Sequence, residues 1–214
     1  MAVKAVFFDM DGLVMDSERT CFEVERDVLA RQGYEMTIDK YTQITGKRGD
    51  DIRKTQEGFF PGLDYERYQK EFMEEFVPRV IDVPQDVKPG FFELIKALDE
   101  RGIKKYIVTS TRLPFTIKKL TLAGMYDCFD EIITGEMVKR SKPAPDMYLH
   151  ALERSGFSKD ECLVLEDSIA GVGAGLNAGI PCICVPDLIV PPEELTSRCL
   201  CVAKTLADVI DYLD

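Results

Sequence analysis

The stretch Ala5-Val6-Phe7-Phe8-Asp9-Met10-Asp11-Gly12-Leu13-Val14-Met15-Asp16-Ser17 decides how the rest of the chain is read. The apolar run from Ala5 to Phe8 delivers two carboxylates one residue apart, and Gly12 follows where the chain must leave a strand and turn. This is the pattern of a buried strand that ends in a polar site. Side chains alternate along a strand, but past its end the turn can bring Asp11 beside Asp9. Two such carboxylates call for a shared counter-charge, and magnesium suits them because it takes hard oxygen ligands and often shares a phosphate with one or two carboxylates. On this stretch alone a strand running into an acidic turn remains an alternative.

Beyond it, Asp16-Ser17 reads as a helix N-cap, and residues 18–32 carry Cys21, Val24, Val28 and Leu29 at helical spacing before Gly33. Residues 38–44, 51–60 and 64–81 also read as helices, broken at Gly46, Gly49 and Pro61-Gly62. Four helical segments with no convincing strand predict a small bundle inserted after the first strand. Residues 83–90, with two prolines and a glycine, read as the linker back.

From there the pattern alternates. Helices are predicted over 91–101, 114–122, from about 145 to 156, over 169–178 and over 206–213. Strands are predicted over 105–108, 131–134, 162–165 and 181–185, with a weaker one over 199–202. Strands separated by single helices predict an α/β fold with a parallel sheet covered on both faces, and ligands in such sheets bind beyond the C-terminal ends of the strands.

The 214 residues fit a core domain carrying a sizeable insertion, and the formal net charge of −11 argues against nucleic acid or an anionic membrane as partner. Any phosphate must therefore meet a local cation or a metal. No apolar run is long enough to span a bilayer, and the first strand begins too early to leave room for a signal peptide, so a cytoplasmic, monomeric protein is expected. Seven cysteines, an odd and scattered set, do not form a disulfide framework. Cys182-Ile-Cys184 and Cys199-Leu-Cys201 have spacing that invites zinc, but neither they nor the lone His150 has a close-set partner histidine.

Polar residues cluster after the predicted strands. Asp9 and Asp11 follow the first, Ser110 with Thr111 follows the second, Lys142 lies in Ser141-Lys142-Pro143-Ala144-Pro145-Asp146, and Glu166-Asp167-Ser168 follows residues 162–165. If these strands are parallel neighbours, the four sets converge on one edge. Two acidic pairs, a hydroxyl and a lysine there make a phosphoryl-transfer site: carboxylates for a cation, the hydroxyl and ammonium for phosphoryl oxygens, and one carboxylate left to attack. Singly, each piece has a plainer reading. Ser110 fits a helix cap, Lys142 a solvated loop lysine, and Glu166-Asp167-Ser168 an acidic helix start.

Taken together, these residues resemble the haloacid dehalogenase-like hydrolase superfamily, and within it the branch of beta-phosphoglucomutase and small-metabolite phosphatases. Asp9-Met-Asp11-Gly12 resembles its first motif, Ser110 its second, Lys142 its third, and Glu166-Asp167-Ser168 with Gly171 and Gly175 its fourth. The resemblance spans essentially the whole chain. It implies a Rossmann-like core of residues 1–15 and 85–214, and a mobile helical cap of residues 16–84 hinged near 14–17 and 83–88. It also implies that the Asp9 strand sits between the Ser110 and Glu166 strands. By the same resemblance Asp9 is the nucleophile and Asp11 the general acid and base. Magnesium is held by the Asp9 side chain, the Asp11 backbone carbonyl and Asp167, with Glu166 close by. Lys142 offsets charge, and Ser110 and Thr111 meet the phosphate of a small phosphorylated metabolite.

A phosphomutase uses the same core and is the nearest competing function. In that branch a histidine follows the first motif and an arginine in the next cap loop receives a distal phosphate. Here residues 16–22 contain no histidine, and the cap loop Thr45-Gly46-Lys47-Arg48-Gly49 has glycine in place of the arginine. Lys47 and Arg48 are left as candidates for a substrate anion. Hydrolysis of a sugar, polyol or nucleotide phosphate is therefore the expected reaction. A phospho-acceptor signalling domain shares the acidic cluster, hydroxyl and lysine, but lacks a long helical insertion.

Overall fold

The computed structural model describes residues 2–47 and 49–214. Strands β1 (Ala5–Phe8), β2 (Lys104–Thr109), β3 (Glu131–Thr134), β4 (Cys162–Glu166), β5 (Cys182–Cys184) and β6 (Cys201–Val202) form a single sheet in the order β3-β2-β1-β4-β5-β6. Every pairing is parallel. The crossovers carry helices α5 (Phe91–Glu100), α6 (Leu113–Leu122), α7 (Asp146–Ser155) and α8 (Ile169–Ala178).

Alternation in β1 shows why the sheet is buried on both sides. Val6 and Phe8 pack with Phe91, Leu94, Leu98, Leu206 and Val209 on one face. Ala5 and Phe7 pack with Met147, Tyr148, Val172 and Ala178 on the other. Phe8 is in register with Ile107 and Leu165, so residues following β1, β2 and β4 emerge on one edge, as the alternating pattern predicts.

The insertion after β1 is helical: α1 (Glu18–Ala30), α2 (Ile38–Tyr41), α3 (Gly49–Phe59) and α4 (Tyr65–Phe76), the last continuing into a π-helical turn at Val77–Ile81. It has its own apolar cluster of Val24, Val28, Leu29, Tyr41, Phe60 and Tyr68. The two chain crossings between insertion and core are bonded to each other: Asp16 N–H donates to Asp86 O at 2.8 Å and Lys88 N–H to Val14 O at 3.0 Å. Met15 and Val87 thus form an antiparallel bridge.

Several elements differ from expectation. The helix predicted over 64–81 changes type at Val77 because Pro78 has no N–H for the α-helical ladder. The terminal segment Leu206–Tyr212 is 3₁₀ rather than α-helical and starts at a capping box, with Thr205 as N-cap and Asp208 returning to its backbone. A short helix α9 (Glu193–Thr196) had no periodic signal. Ser17 does not cap α1 with its side chain. Among the described residues no helix is long and apolar enough to cross a membrane.

Candidate active site

Asp9 stays in register with β4 just beyond β1, its N–H bonding Leu165 O at 3.1 Å. Lys142, brought in by the loop before α7, directs its ammonium to Asp9 Oδ1 at 2.5 Å, Glu166 Oε1 at 2.6 Å and Val108 O at 3.2 Å. Its three protons are thereby all placed. Lys142 is buried, so it is no solvated loop lysine. Glu166 Oε1 also accepts from the Tyr148 hydroxyl at 2.6 Å, and Oε2 from the Asp167 N–H at 3.2 Å. Gly171, in the first turn of α8, is required here: a Cβ at that position would overlap the Glu166 carboxylate. Ser168 is the N-cap of α8, taking the Gly171 N–H at 3.0 Å.

Carboxylate oxygens of Asp9, Glu166 and Asp167 lie within 4.8 Å of one another. Burial pushes the Asp9 carboxyl up to about 8 against the pull of Lys142, with Glu166 adding to the rise. Asp167 is driven well above the ordinary carboxylate range by burial and by Asp9 and Glu166. For all three carboxylates to ionise together, more positive charge is needed than the single Lys142 ammonium supplies. The buried Asp167 Oδ1 has no hydrogen-bond partner. Hard oxygen donors, excess negative charge and an orphaned oxygen fit a divalent cation such as Mg²⁺. Glu166 is already engaged by Lys142, Tyr148 and Asp167, which leaves Asp9 and Asp167 as the freer ligands.

The Asp11 carboxylate is held apart from this group. Ser17 Oγ donates to Oδ1 at 2.6 Å, Thr111 Oγ1 to Oδ2 at 2.7 Å, and the Lys119 ammonium pairs with Oδ1. Burial alone would raise its pKa, but Lys119 and these hydroxyls hold it below the usual range. Its side chain is therefore no part of the acidic trio, and the backbone carbonyl is what it has to offer a metal. Thr111, expected at a phosphate with Ser110, gives its hydroxyl to Asp11 instead.

The loop after α2 lies directly on this edge. Ser110 Oγ donates to Gly46 O at 2.7 Å, which joins core to insertion. Gly46 has a φ of +74°, and a Cβ there would come within 3.2 Å of Ala170 Cβ and 3.7 Å of Lys142 Cδ. Ser141 Oγ bonds the Asp51 carboxylate of α3, and Lys118 Nζ bonds Asp82 at 2.6 Å. Lys47 donates to Thr55 Oγ1 at 3.1 Å and lines the cavity; Arg48 lies outside the described residues. Between insertion and core is a cavity of about 1060 Å³, with Asp9, Asp11, Ser110 and Asp167 at its core end.

Lys119, Tyr148, Glu18 and Tyr41 were not singled out in the sequence. Lys119 shares the inner face of α6 with Thr116 and Leu120, a spacing visible in the sequence, but nothing there distinguishes it from Lys118, which turns outward. Glu18 takes the Tyr41 hydroxyl at 2.6 Å, and burial, with Asp11 nearby, pushes its carboxyl up to about 7.

A profile of haloacid dehalogenase-like hydrolases matches residues 3–179. The chain is 32% identical over 179 residues to a phosphorylated carbohydrates phosphatase of Thermotoga maritima, covering 83% of this chain and 82% of that one. It is 28% identical over 188 residues to hexitol phosphatase B of Escherichia coli, covering 86% of this chain and 84% of the relative. Its fold matches that of CbbY from Rhodobacter sphaeroides, solved in complex with xylulose 1,5-bisphosphate, with a TM-score of 0.82 at 24% identity over 99% of each chain.

Proposed function

Because the chain belongs to the haloacid dehalogenase-like hydrolase family, we propose that it is a magnesium-dependent phosphatase that hydrolyses a small phosphorylated metabolite through an aspartyl-phosphate on Asp9. The observation that carries this reading is the convergence of Asp9, Glu166 and Asp167, at the ends of the adjacent parallel strands β1 and β4, on Lys142, with Asp9 and Asp167 facing a cavity. Relatives of similar length are phosphatases of phosphorylated carbohydrates and hexitols by name.

Asp9, at the cavity end, supplies the carboxylate oxygen that forms the new bond to phosphorus as the ester oxygen departs. Asp11 gives that oxygen its proton, then takes one from the water that cleaves the aspartyl-phosphate and frees inorganic phosphate. The resting bonds from Lys119, Ser17 and Thr111 keep Asp11 ionised, the form needed for the second half; binding of the ester has to loosen them for the first. Lys142 offsets the charge of Asp9 and Glu166 so that a phosphate dianion can approach. The chemistry supplied by Mg²⁺ on Asp9, Asp167 and the Asp11 carbonyl is further neutralisation of the phosphoryl oxygens. Residues 16–84 act as the cap that shuts out bulk water, with the paired crossings as its hinge.

Phosphate release from sugar, polyol and nucleotide phosphates by the purified protein, with Mg²⁺ and with chelator, tests the reading. Magnesium-dependent release of phosphate is expected. Given beta-glucose 1-phosphate with a trace of the 1,6-bisphosphate, efficient formation of glucose 6-phosphate with little free phosphate would establish the mutase instead.

A further inference from the structure

The cavity continues well past the phosphoryl site. Glu18, Cys21 and Glu25 of α1 all line it, at spacings of three and four that set them on one helix face. At 1.5 Å per residue, Glu25 lies about 10 Å along the helix from Glu18, which is the glutamate beside Asp11. At this far level Glu25, Gln56 and Tyr68, from α1, α3 and α4, are all buried. The Tyr68 hydroxyl donates to Glu25 Oε2 at 2.6 Å, while Gln56 Nε2 reaches that oxygen at 3.2 Å and Tyr68 Oη at 2.8 Å. Their donors are thus used internally. What stays open at the cavity wall is acceptor capacity on Glu25, whose Oε1 has a single long contact of 3.5 Å; Gln56, fully buried, braces Glu25 and Tyr68 from behind.

A ladder of rings joins the two ends. Tyr65, Tyr68, Phe72 and Phe76 follow one another along α4 with centroids 5.6, 5.8 and 5.0 Å apart, and Phe115 of α6 continues the row at 6.5 Å. All five line the cavity. A helical stripe of aromatics ordinarily belongs to a core, but Tyr65, Phe72, Phe76 and Phe115 are only half-buried and face space. A volume of about 1060 Å³ lies at the upper end for ligand sites and exceeds what a short polyol phosphate needs.

We propose that Glu25 and Tyr68, braced by Gln56, form a second subsite for the far end of the leaving alcohol, and that the substrate is a phosphomonoester whose alcohol carries a flat ring body ending in an N–H donor. The ring lies against the aromatic ladder, where stacking geometry is available, and its N–H meets Oε1 of the ionised Glu25 carboxylate. This inference rests on the hydrolase reading and narrows its substrate class. It does not change the chemistry at Asp9.

Steady-state phosphate release by the wild-type protein with Mg²⁺ is compared for guanosine 5′-monophosphate and flavin mononucleotide, which have a ring and N–H donors, benzyl phosphate, which has a ring and no donor, and glycerol 3-phosphate, which has neither. At least one ring-and-donor ester is expected to show a KM tenfold or more below those of the other two classes. Glu25→Leu should raise that KM tenfold or more with little change in kcat, and so compress the ranking; Phe72→Ala, on the half-buried wall, should act in the same direction. A higher kcat/KM for glycerol 3-phosphate than for both ring-and-donor esters, or an equal effect of both variants on every ester, overturns the subsite. Absence of phosphate release from all esters would refute the hydrolase reading instead. The subsite is then decided by calorimetric titration of the wild-type protein with the same esters, where a tenfold tighter Kd for a ring-and-donor ester supports it and an equal or weaker one overturns it.

Discussion

Glu166 and Glu25 are both buried with a tyrosine hydroxyl at the same distance, 2.6 Å: Glu166 with Tyr148 at the edge of the sheet and Glu25 with Tyr68 inside the helical insertion. Their surroundings differ in charged partners, and Glu166 also has the Asp9 and Asp167 carboxylates nearby. Glu166 has the Lys142 ammonium at 2.6 Å, whereas Glu25 has the neutral amide of Gln56. Burial accordingly pushes the Glu25 carboxyl up to about 7. The sheet edge gathers carboxylates around an ammonium, and the helical wall holds a carboxyl whose charge depends on pH. On the proposed reading, the same side-chain pair serves chemistry in one place and selection in the other.

The sharpest break of this comparison is at Asp9. Asp9→Asn keeps the shape but has no nucleophilic carboxylate, so kcat should fall by about four orders of magnitude. Glu166 still pairs with Lys142, so the thermal midpoint should stay close to that of the wild type. Enzyme assays paired with calorimetry check both, with mass spectrometry to exclude reversion by deamidation. Retained turnover would remove Asp9 from its role.

Lys142→Met tests the charge side directly. It leaves Asp9 and Glu166 buried without their cation, which should cost about 3–5 kcal/mol of stability in urea titrations without metal, together with most of the activity. Added Mg²⁺ should restore part of that stability, because it supplies the missing positive charge.

Asp11→Asn should lower kcat by about two to three orders of magnitude for a sugar phosphate and distinctly less for p-nitrophenyl phosphate, whose leaving group needs little protonation. Equal losses on both esters would show that Asp11 acts through its contacts with Ser17, Thr111 and Lys119 instead.

The smallest effect probes the helical side. With its carboxyl raised from 4.5 to about 7, the folded chain keeps a proton on Glu25 that the unfolded chain has already released. That contribution, about 3 kcal/mol at most, is complete below pH 4.5 and is lost as pH rises to about 7. In ligand-free thermal scans, Glu25→Gln should therefore flatten the fall in midpoint between pH 5 and 8 relative to the wild type. A parallel fall in both proteins would assign the pH dependence to other groups.

The contrast between the two regions also explains what the sequence made legible. At the sheet edge, short apolar runs, glycine stops and strand ends place Asp9, Ser110, Lys142 and Glu166 in order, and β1, β3 and α8 have the ends that the pattern predicts. That information is local. The orientation of Thr111 toward Asp11, the choice of Lys119 over Lys118, and the meeting of Glu25 with Gln56 and Tyr68 depend on how helices dock. Gln56 and Tyr68 lie 31 and 43 residues from Glu25, and periodicity identifies a buried face without naming what it faces. Ser17 shows the same limit at short range: it has the right identity and position for a cap, but Asp11 offers its hydroxyl a charged acceptor.

The antiparallel bridge between Met15 and Val87 has a further consequence. Because the outgoing and returning chains are stitched side by side, the sheet domain is closed at that seam whatever is threaded between them. The intervening residues form an excursion from a continuous fold, and the strand order and the contacts of Lys142 with Asp9 and Glu166 are made entirely by residues outside it. Insertions are tolerated where both ends meet at one surface point. A different helical unit threaded through that seam would leave and rejoin the sheet at the same two residues, above the same row of carboxylates.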